Sequence, residues 1–177
     1  MDIREFLELR SSRLNADILA DKIEEDPEVF DTVWNIMLED KDPVSMRAAW
    51  TLSIFAKRHP CFIEPRASSI IKCLSKVKSS SVRRCLLSML TMVPVPAEQS
   101  GFLFDFCFGV IESVKSDIAH KAYAMTILYN ISVLEPDLKP ELVALFESLL
   151  DDESAGIYAR SRILINQLYR DMGLPGK

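Results

Sequence analysis

The sequence predicts an all-α fold, a solenoid of about four stacked helix pairs that together form one domain. Three observations favour it. The chain has 177 residues, a length typical of a single domain. Glycine is scarce, at 5 residues, whereas sheet proteins use glycine in hairpin turns and α/β enzymes use it in phosphate-binding loops. One pattern also recurs along the chain at regular spacing, which indicates a repeat fold.

The recurring pattern places a basic residue near the start of every second predicted helix. A polar or proline-containing turn precedes this residue, and an apolar helix follows it. The basic residues are separated by 36, 38 and 39 positions; they are Arg47, Arg83, Lys121 and Arg160. A period of this length is typical of a repeat made of two helices.

Apolar periodicity and the repeat together predict the helix positions. An N-terminal cap spans residues 1–25 and contains a helix near 14–25, the repeats fill 26–171, and 172–177 form a tail. The first helices of the pairs are predicted at 27–39, 62–77, 98–114 and 138–150. The second helices are predicted at 43–59, 81–93, 117–134 and 155–171.

Prolines and side-chain acceptors mark the predicted boundaries. Asp26 and Asp42 each precede a proline, so each is expected to accept a hydrogen bond at a helix start. His59 precedes Pro60, and proline disfavours the α conformation of the residue before it, so a helix is expected to end there. Gly173 follows the last predicted helix, where a stop signal belongs.

One segment carries a conflicting pattern. Its phenylalanines alternate in a way typical of a strand; they are Phe102, Phe104, Phe106 and Phe108. We nevertheless predict a helix there, because the repeat requires one. A helix that packs on two sides needs apolar residues on more than one face.

The turn that opens each second helix resembles the signature of the HEAT-repeat family. Met46-Arg47 and Val82-Arg83 match its apolar–basic pair best, whereas the pairs ending at Lys121 and Arg160 match more loosely. The resemblance covers residues 26–171 and is to short bacterial-type members. It implies a right-handed α-solenoid that serves mainly as an interaction surface.

Charge is unevenly distributed along the chain. The formal net charge is −5. Residues 57–84 nevertheless hold eight basic side chains and one acidic side chain, whereas both flanking segments are acidic. Two interpretations stay open: the basic segment attracts an anionic partner, or it is a solvated helix face.

Catalytic, cofactor and metal chemistry lack the residue patterns they need. The two histidines, His59 and His120, lie in different predicted repeats, and no cysteines form a Cys-x-x-Cys pair. We therefore predict no catalytic residue, no cofactor and no metal, and a protein that is not an enzyme. The cysteines are predicted to be reduced and buried; they are Cys61, Cys73, Cys85 and Cys107. With no secretory signal or membrane span in the sequence, we expect a cytoplasmic protein.

Large or basic residues on the second helices are the candidate contacts to a partner. They are Arg47, Trp50, Ile54, Arg58, Arg83, Arg84, Lys121 and Arg160. The four repeated basic residues also have a structural interpretation, in which each pairs with carbonyls or with turn acids at Asp42, Asp117 and Asp152 and ties one repeat to the next. Trp50 likewise has an alternative place in the core.

Two functions are consistent with these residues. The first is a protein-interaction or scaffold module that binds another protein or peptide on the surface of the second helices. The alternative is a nucleic-acid-binding protein resembling the HEAT-like alkylpurine DNA glycosylases, which place basic and aromatic residues with a carboxylate on the concave face. Four arginines with Trp50 and Tyr123 fit that alternative. The chain is shorter, is net acidic and offers no matching catalytic aspartate, so we favour the first function.

Overall fold

The computed structural model describes residues 2–9, 11–151 and 154–175, which form helices joined by turns, with no strand among them. The predicted all-α class is confirmed. The helices group into two compact units, residues 1–94 and 95–177. The single-domain assignment and the right-handed superhelix stay predictions.

The first unit contains the helices α1 to α7. Their bounds are Ile3–Glu8 (α1), Arg13–Glu25 (α2), Glu28–Leu38 (α3), Val44–Arg58 (α4), Pro60–Ile63 (α5), Ala67–Leu74 (α6) and Ser80–Leu90 (α7). A 3-10 turn at Glu64–Arg66 joins α5 to α6.

Helix α4 lies at the centre of this unit. Helices α1, α2, α3 and α7 all pack against it. Residues 51–56 are consecutively buried as a result, because neighbours on several sides leave α4 without a solvent-facing stripe along this stretch. The small residues Ala48, Ala49 and Ala56 are fully buried and permit close helix approach.

The second unit contains the helices α8 to α11. Their bounds are Ser100–Glu112 (α8), Ile118–Leu134 (α9), Lys139–Ser148 (α10) and Ala155–Asp171 (α11), with a 3-10 turn at Pro136–Leu138 before α10. Helix α9 is central, since α8, α10 and α11 all pack against it.

The four predicted helix pairs are present as α3–α4, α6–α7, α8–α9 and α10–α11, and the helices of each pair are in contact. The alternating phenylalanines lie in α8, and their rings pair at helical spacing: Phe102–Phe106 at 6.4 Å and Phe104–Phe108 at 6.2 Å between centroids. Helix α1 is an addition to the prediction. The predicted helix at 62–77 is instead divided by the 3-10 turn at Pro65.

The boundary residues act largely as predicted. Asp26 accepts a hydrogen bond from the amide of Glu28, and Asp42 accepts one from the amide of Met46, both at 3.1 Å. Helix α4 ends before the His59–Pro60 pair. Gly173 follows α11 with φ +70°, a conformation that glycine adopts without steric cost.

Candidate partner-binding site

Arg47 binds the end of α1. Its Nη1 donates to the carbonyl oxygens of Leu7 at 2.8 Å and Glu8 at 3.1 Å, and also to that of Leu9. The last carbonyls of a helix have no partner within the helix, and a basic side chain can satisfy them. These contacts support the structural interpretation for Arg47.

Arg83 makes a related contact beyond the end of α6. Its Nη2 donates to the carbonyl oxygen of Val77 at 2.6 Å. The same turn is held by the carboxylate of Asp40, which accepts from the amides of Lys78 at 2.6 Å and Ser79 at 3.0 Å. Those two backbone hydrogen bonds lower the pKa of the Asp40 carboxyl group. Arg83 therefore also has a structural role.

The structural interpretation named carbonyls or turn acids as partners of the repeated basic residues, and two of those acids have contacts with other groups. Besides the Met46 amide, Asp42 accepts from the hydroxyl of Ser79 at 2.7 Å. Asp117 lies 3.5 Å from Nδ1 of the buried His120. Asp152 is outside the described residues. In the first unit, Arg47 and Arg83 donate to backbone carbonyls, one of the two kinds of partner that the structural interpretation named.

Arg58 ties the end of α4 to α2. Its guanidinium lies 2.7 Å from Asp17 and 3.4 Å from Glu24, and it donates to Asp21 as well. The hydrogen bond to Asp21 is the main cause that raises the pKa of Arg58. His59 Nε2 lies 2.7 Å from Glu24 and, together with Arg58, lowers the pKa of that carboxyl group. The donors of Arg58 are thus directed into its own unit.

Two predicted contacts on α4 differ in accessibility. Ile54 is only 4 % exposed, so it is a core residue and cannot meet a partner at the surface. Trp50 is half-buried and, with Phe6 and Arg47, lines a hollow of about 20 Å³, which is room for a single water.

The side chains of the remaining three predicted contacts make no hydrogen bond or ion pair within residues 2–9, 11–151 and 154–175. Arg84 on α7 is exposed, whereas Lys121 on α9 and Arg160 on α11 are half-buried. The eight predicted residues therefore divide between the two units. Three arginines of the first unit, Arg47, Arg58 and Arg83, are engaged in contacts inside it.

A groove in the second unit is a different candidate site. It lies where α8 begins and α9 ends, and it has a volume of about 390 Å³, within the range of ligand-binding clefts. Phe104, Ile131 and Leu138 form its apolar lining, and Gly101 lies beside them. The space beside Gly101 is free, since a Cβ added there would meet no atom within 4 Å.

Three carboxylates border this groove: Asp105, Glu135 and Asp137. All are exposed, and none forms an ion pair with another described residue. Lys139 follows two positions after Asp137, but its ammonium lies 3.7 Å from Asp171, and its side chain is only 12 % exposed. The groove therefore combines an apolar lining with an uncompensated negative rim.

Sequence reasoning missed this groove. One available signal was Asp105, a lone charge inside the apolar segment of residues 101–111, and another was the pair of acids that flank Pro136.

A second hollow in the same unit has a volume of about 360 Å³. Its lining mixes charges, with Glu147 and with Arg162, whose guanidinium lies 5.8 Å from the ring centroid of Tyr158.

The cysteines differ in burial. Cys85 and Cys107 are buried, and desolvation raises the pKa of both thiols. The predicted burial is wrong for Cys61, which is exposed.

Within the described parts of the chain, no group of three or more His, Cys, Asp or Glu side chains could hold a metal ion. No described helix has the length and apolar character needed to cross a membrane.

Comparison with known proteins identifies a family. A family model described as a HEAT repeat domain matches residues 3–167. The match includes the helices of both units, and it also includes α1, which precedes the repeats predicted at 26–171. No curated protein and no solved structure matches the chain.

Proposed function

The chain belongs to the HEAT-repeat family, and we propose that it is a non-enzymatic interaction module that binds a partner protein through its second unit. Repeats built from helix pairs present extended surfaces on which partners bind. The observation that carries the proposal is the amount of apolar surface that this unit leaves in contact with water.

Eight large apolar side chains of the second unit are at least 42 % exposed; they are Phe102, Val114, Ile118, Val133, Leu134, Tyr158, Ile163 and Leu174. Five of them lie on α9 and α11, the second helices of their pairs. Burying apolar surface contributes about 25 cal/mol per Å², so a partner that covered these side chains would gain stability from them.

Two of the exposed apolar side chains lie close to the groove in the sequence. Val133 and Leu134 lie in the last turn of α9, next in sequence to the groove residues Ile131 and Glu135. A partner that covered the end of α9 would contact both the groove and these exposed side chains. This supports an interface centred where α8 begins and α9 ends.

The nucleic-acid alternative has weaker support. Three of the four arginines that suggested it, Arg47, Arg58 and Arg83, donate to groups within their own unit. The chain as a whole carries a net charge of −5, whereas most nucleic-acid-binding domains are clearly basic.

Site-specific photo-crosslinking in native lysate tests the proposal. A photoreactive phenylalanine derivative replaces Val133 in one variant and Leu14 in the matched control, since Leu14 is an exposed apolar residue of the first unit. Both variants carry the same affinity tag, and crosslinked products are identified by mass spectrometry with and without nuclease treatment. A discrete protein crosslinked from position 133 but not from position 14 is the expected result.

Other outcomes have defined meanings. A protein crosslinked only from position 14 would contradict the placement of the interface on the second unit. Crosslinked nucleic acid, or capture that nuclease abolishes, would favour the nucleic-acid alternative. Absence of any specific product from both positions would contradict the interaction module itself.

A further inference from the structure

We infer that the groove at the start of α8 and the end of α9 takes an apolar side chain of a peptide segment in which Lys or Arg residues flank that side chain. This inference rests on the proposed function and adds the chemistry of the partner. Two features of the groove carry it: the apolar lining and the negative rim.

The lining requires an apolar occupant. Phe104 and Leu138 are half-buried, so the groove exposes parts of their apolar surfaces to solvent, whereas Ile131 is almost fully buried and adds little. The ring of Phe104 packs on that of Phe108 at 6.2 Å, which fixes its position along α8. A side chain that entered the groove would remove this surface from water without a change in the helices.

The rim selects the charge of the neighbouring residues. Asp105 comes from α8, whereas Glu135 and Asp137 flank Pro136 just after α9, so two separate parts of the chain place carboxylates at one opening. None is paired with a cation of the described chain. Cations beside the apolar side chain of a peptide would supply those partners, whereas an acidic segment would be repelled.

The charge of the whole unit acts in the same direction. Residues 95–177 contain 12 acidic and 7 basic side chains, so this unit alone carries a charge equal to the net −5 of the entire chain. A negative field of this kind accelerates association with a cationic segment and weakens as salt is added.

Two glycines of α8 give a matched pair of variants. Gly101 lies at the groove and Gly109 does not, yet a Cβ at either position would meet nothing within 4 Å. Gly101→Trp should therefore fill the groove, and Gly109→Trp should make the same chemical change on the same helix away from it. Both replace a helical glycine, so neither is expected to destabilise α8.

The experiment selects peptides against the intact chain. A displayed library of random 12-residue peptides is enriched on the immobilised protein, and enriched peptides are synthesised with a fluorescent label for anisotropy measurements. We expect enriched sequences to contain Leu, Phe or Met flanked by Lys or Arg. Gly101→Trp should weaken their binding at least about tenfold, whereas Gly109→Trp should leave it within about twofold of the unsubstituted protein.

A charge variant provides a second, independent measurement. Asp105→Asn, Glu135→Gln and Asp137→Asn in combination keep the shape of the groove and remove the negative rim. This triple variant should weaken binding about tenfold at low salt and should lose most of the salt dependence. It keeps the inference testable even when Gly101→Trp fails to fold.

Several results would overturn the inference: acidic or charge-neutral enriched peptides, failure to enrich any peptide, or equal binding to Gly101→Trp and to the unsubstituted protein. Its failure is distinguishable from failure of the proposed function. A partner still crosslinked from position 133 in the Gly101→Trp background would leave the interaction module standing and remove the groove from it.

Discussion

Single arginines hold neighbouring segments together in the first unit, and they do so through two kinds of acceptor. Arg47 and Arg83 donate to backbone carbonyls, which do not titrate. Arg58 donates to carboxylates of α2, which do. Acid should therefore weaken the contacts of Arg58 and leave those of Arg47 and Arg83 unchanged.

The Arg58 cluster should make part of the stability depend on pH. The pKa of Asp17 is lowered mainly by its hydrogen bond to Arg13, with Arg58 adding to the effect, and the pKa of Glu24 is lowered by His59 and Arg58. A carboxyl group with a lower pKa in the folded state stabilises the fold above its unfolded pKa. This stabilisation is present at neutral pH and declines as the pH falls from about 5 toward 3.

Arg58→Gln tests this dependence. We expect it to lower Tm at pH 7 by about 2–4 °C, because each exposed ion pair contributes little and Arg58 makes three. The difference from the unsubstituted protein should shrink by pH 3, as followed by circular dichroism during heating. Arg84→Gln is the control. Because the Arg84 side chain is exposed, this substitution should leave the Tm of the protein unchanged. Equal effects of the two substitutions would contradict this account.

Sequence periodicity could not identify these roles. Arg58 lies 34 to 41 positions from its acidic partners, a separation that no helical pattern within α4 reveals. A helical wheel gives α4 one apolar face along Ala49, Leu52 and Ala56 with Ile54 opposite, so the sequence predicts that Ile54 lies at a surface. Neighbours on several sides of α4 bury Ile54 as well.

At the scale of whole helices, prediction depended on local signals and failed where these were weak. Prolines and capping acids predicted most boundaries because they restrict the backbone directly. Helix α1, with six residues, is too short to show a helical period. It is held by tertiary contacts to Arg47 and α4 instead.

Arg47→Met should release α1 while the rest of the chain stays folded. Without the guanidinium, the carbonyls of Leu7, Glu8 and Leu9 lose their donor. We expect amides of residues 3–8 to exchange hydrogen at least about tenfold faster, measured by mass spectrometry. Amides of α9 should be unaffected. Unchanged exchange in α1 would show that its apolar contacts alone hold it.

Helix α8 should become more stable when Gly109 is replaced. Alanine is a better helix former than glycine, and its Cβ would meet nothing within 4 Å, so Gly109→Ala should raise the free energy of unfolding by about 0.5–1 kcal/mol in urea titrations. Gly156→Ala is the contrasting case, because its Cβ would lie 3.1 Å from Cγ2 of Ile118. That substitution should give no gain, and an equal gain at both positions would contradict the packing described.

For the whole molecule, charge is divided more sharply than composition suggests. Residues 1–94 hold 14 acidic and 14 basic side chains, whereas residues 95–177 hold the entire excess of acid. The basic segment at 57–84 is visible in the sequence. The sequence does not show that Arg58, Arg66 and Arg83 within this segment bind groups of their own unit. The groove was equally hidden, since it exists only where the start of α8 meets the end of α9.

This charge distribution predicts weak binding to nucleic acid. Fluorescently labelled single-stranded and double-stranded DNA should bind with Kd weaker than about 100 µM at 0.15 M salt. Anisotropy titrations across salt concentrations provide the measurement. Micromolar binding with a steep salt dependence would instead indicate that the free lysines of residues 57–84 contact phosphates.

The uneven burial of the four thiols has a practical consequence for such titrations. Cys61 is exposed, while desolvation raises the pKa of Cys73, Cys85 and Cys107 and so lowers their thiolate fractions. A maleimide dye added in limiting amount should attach first to Cys61, at the short helix α5. The native chain thus offers its own fluorophore attachment point, in the first unit and outside the groove residues, without any engineered cysteine.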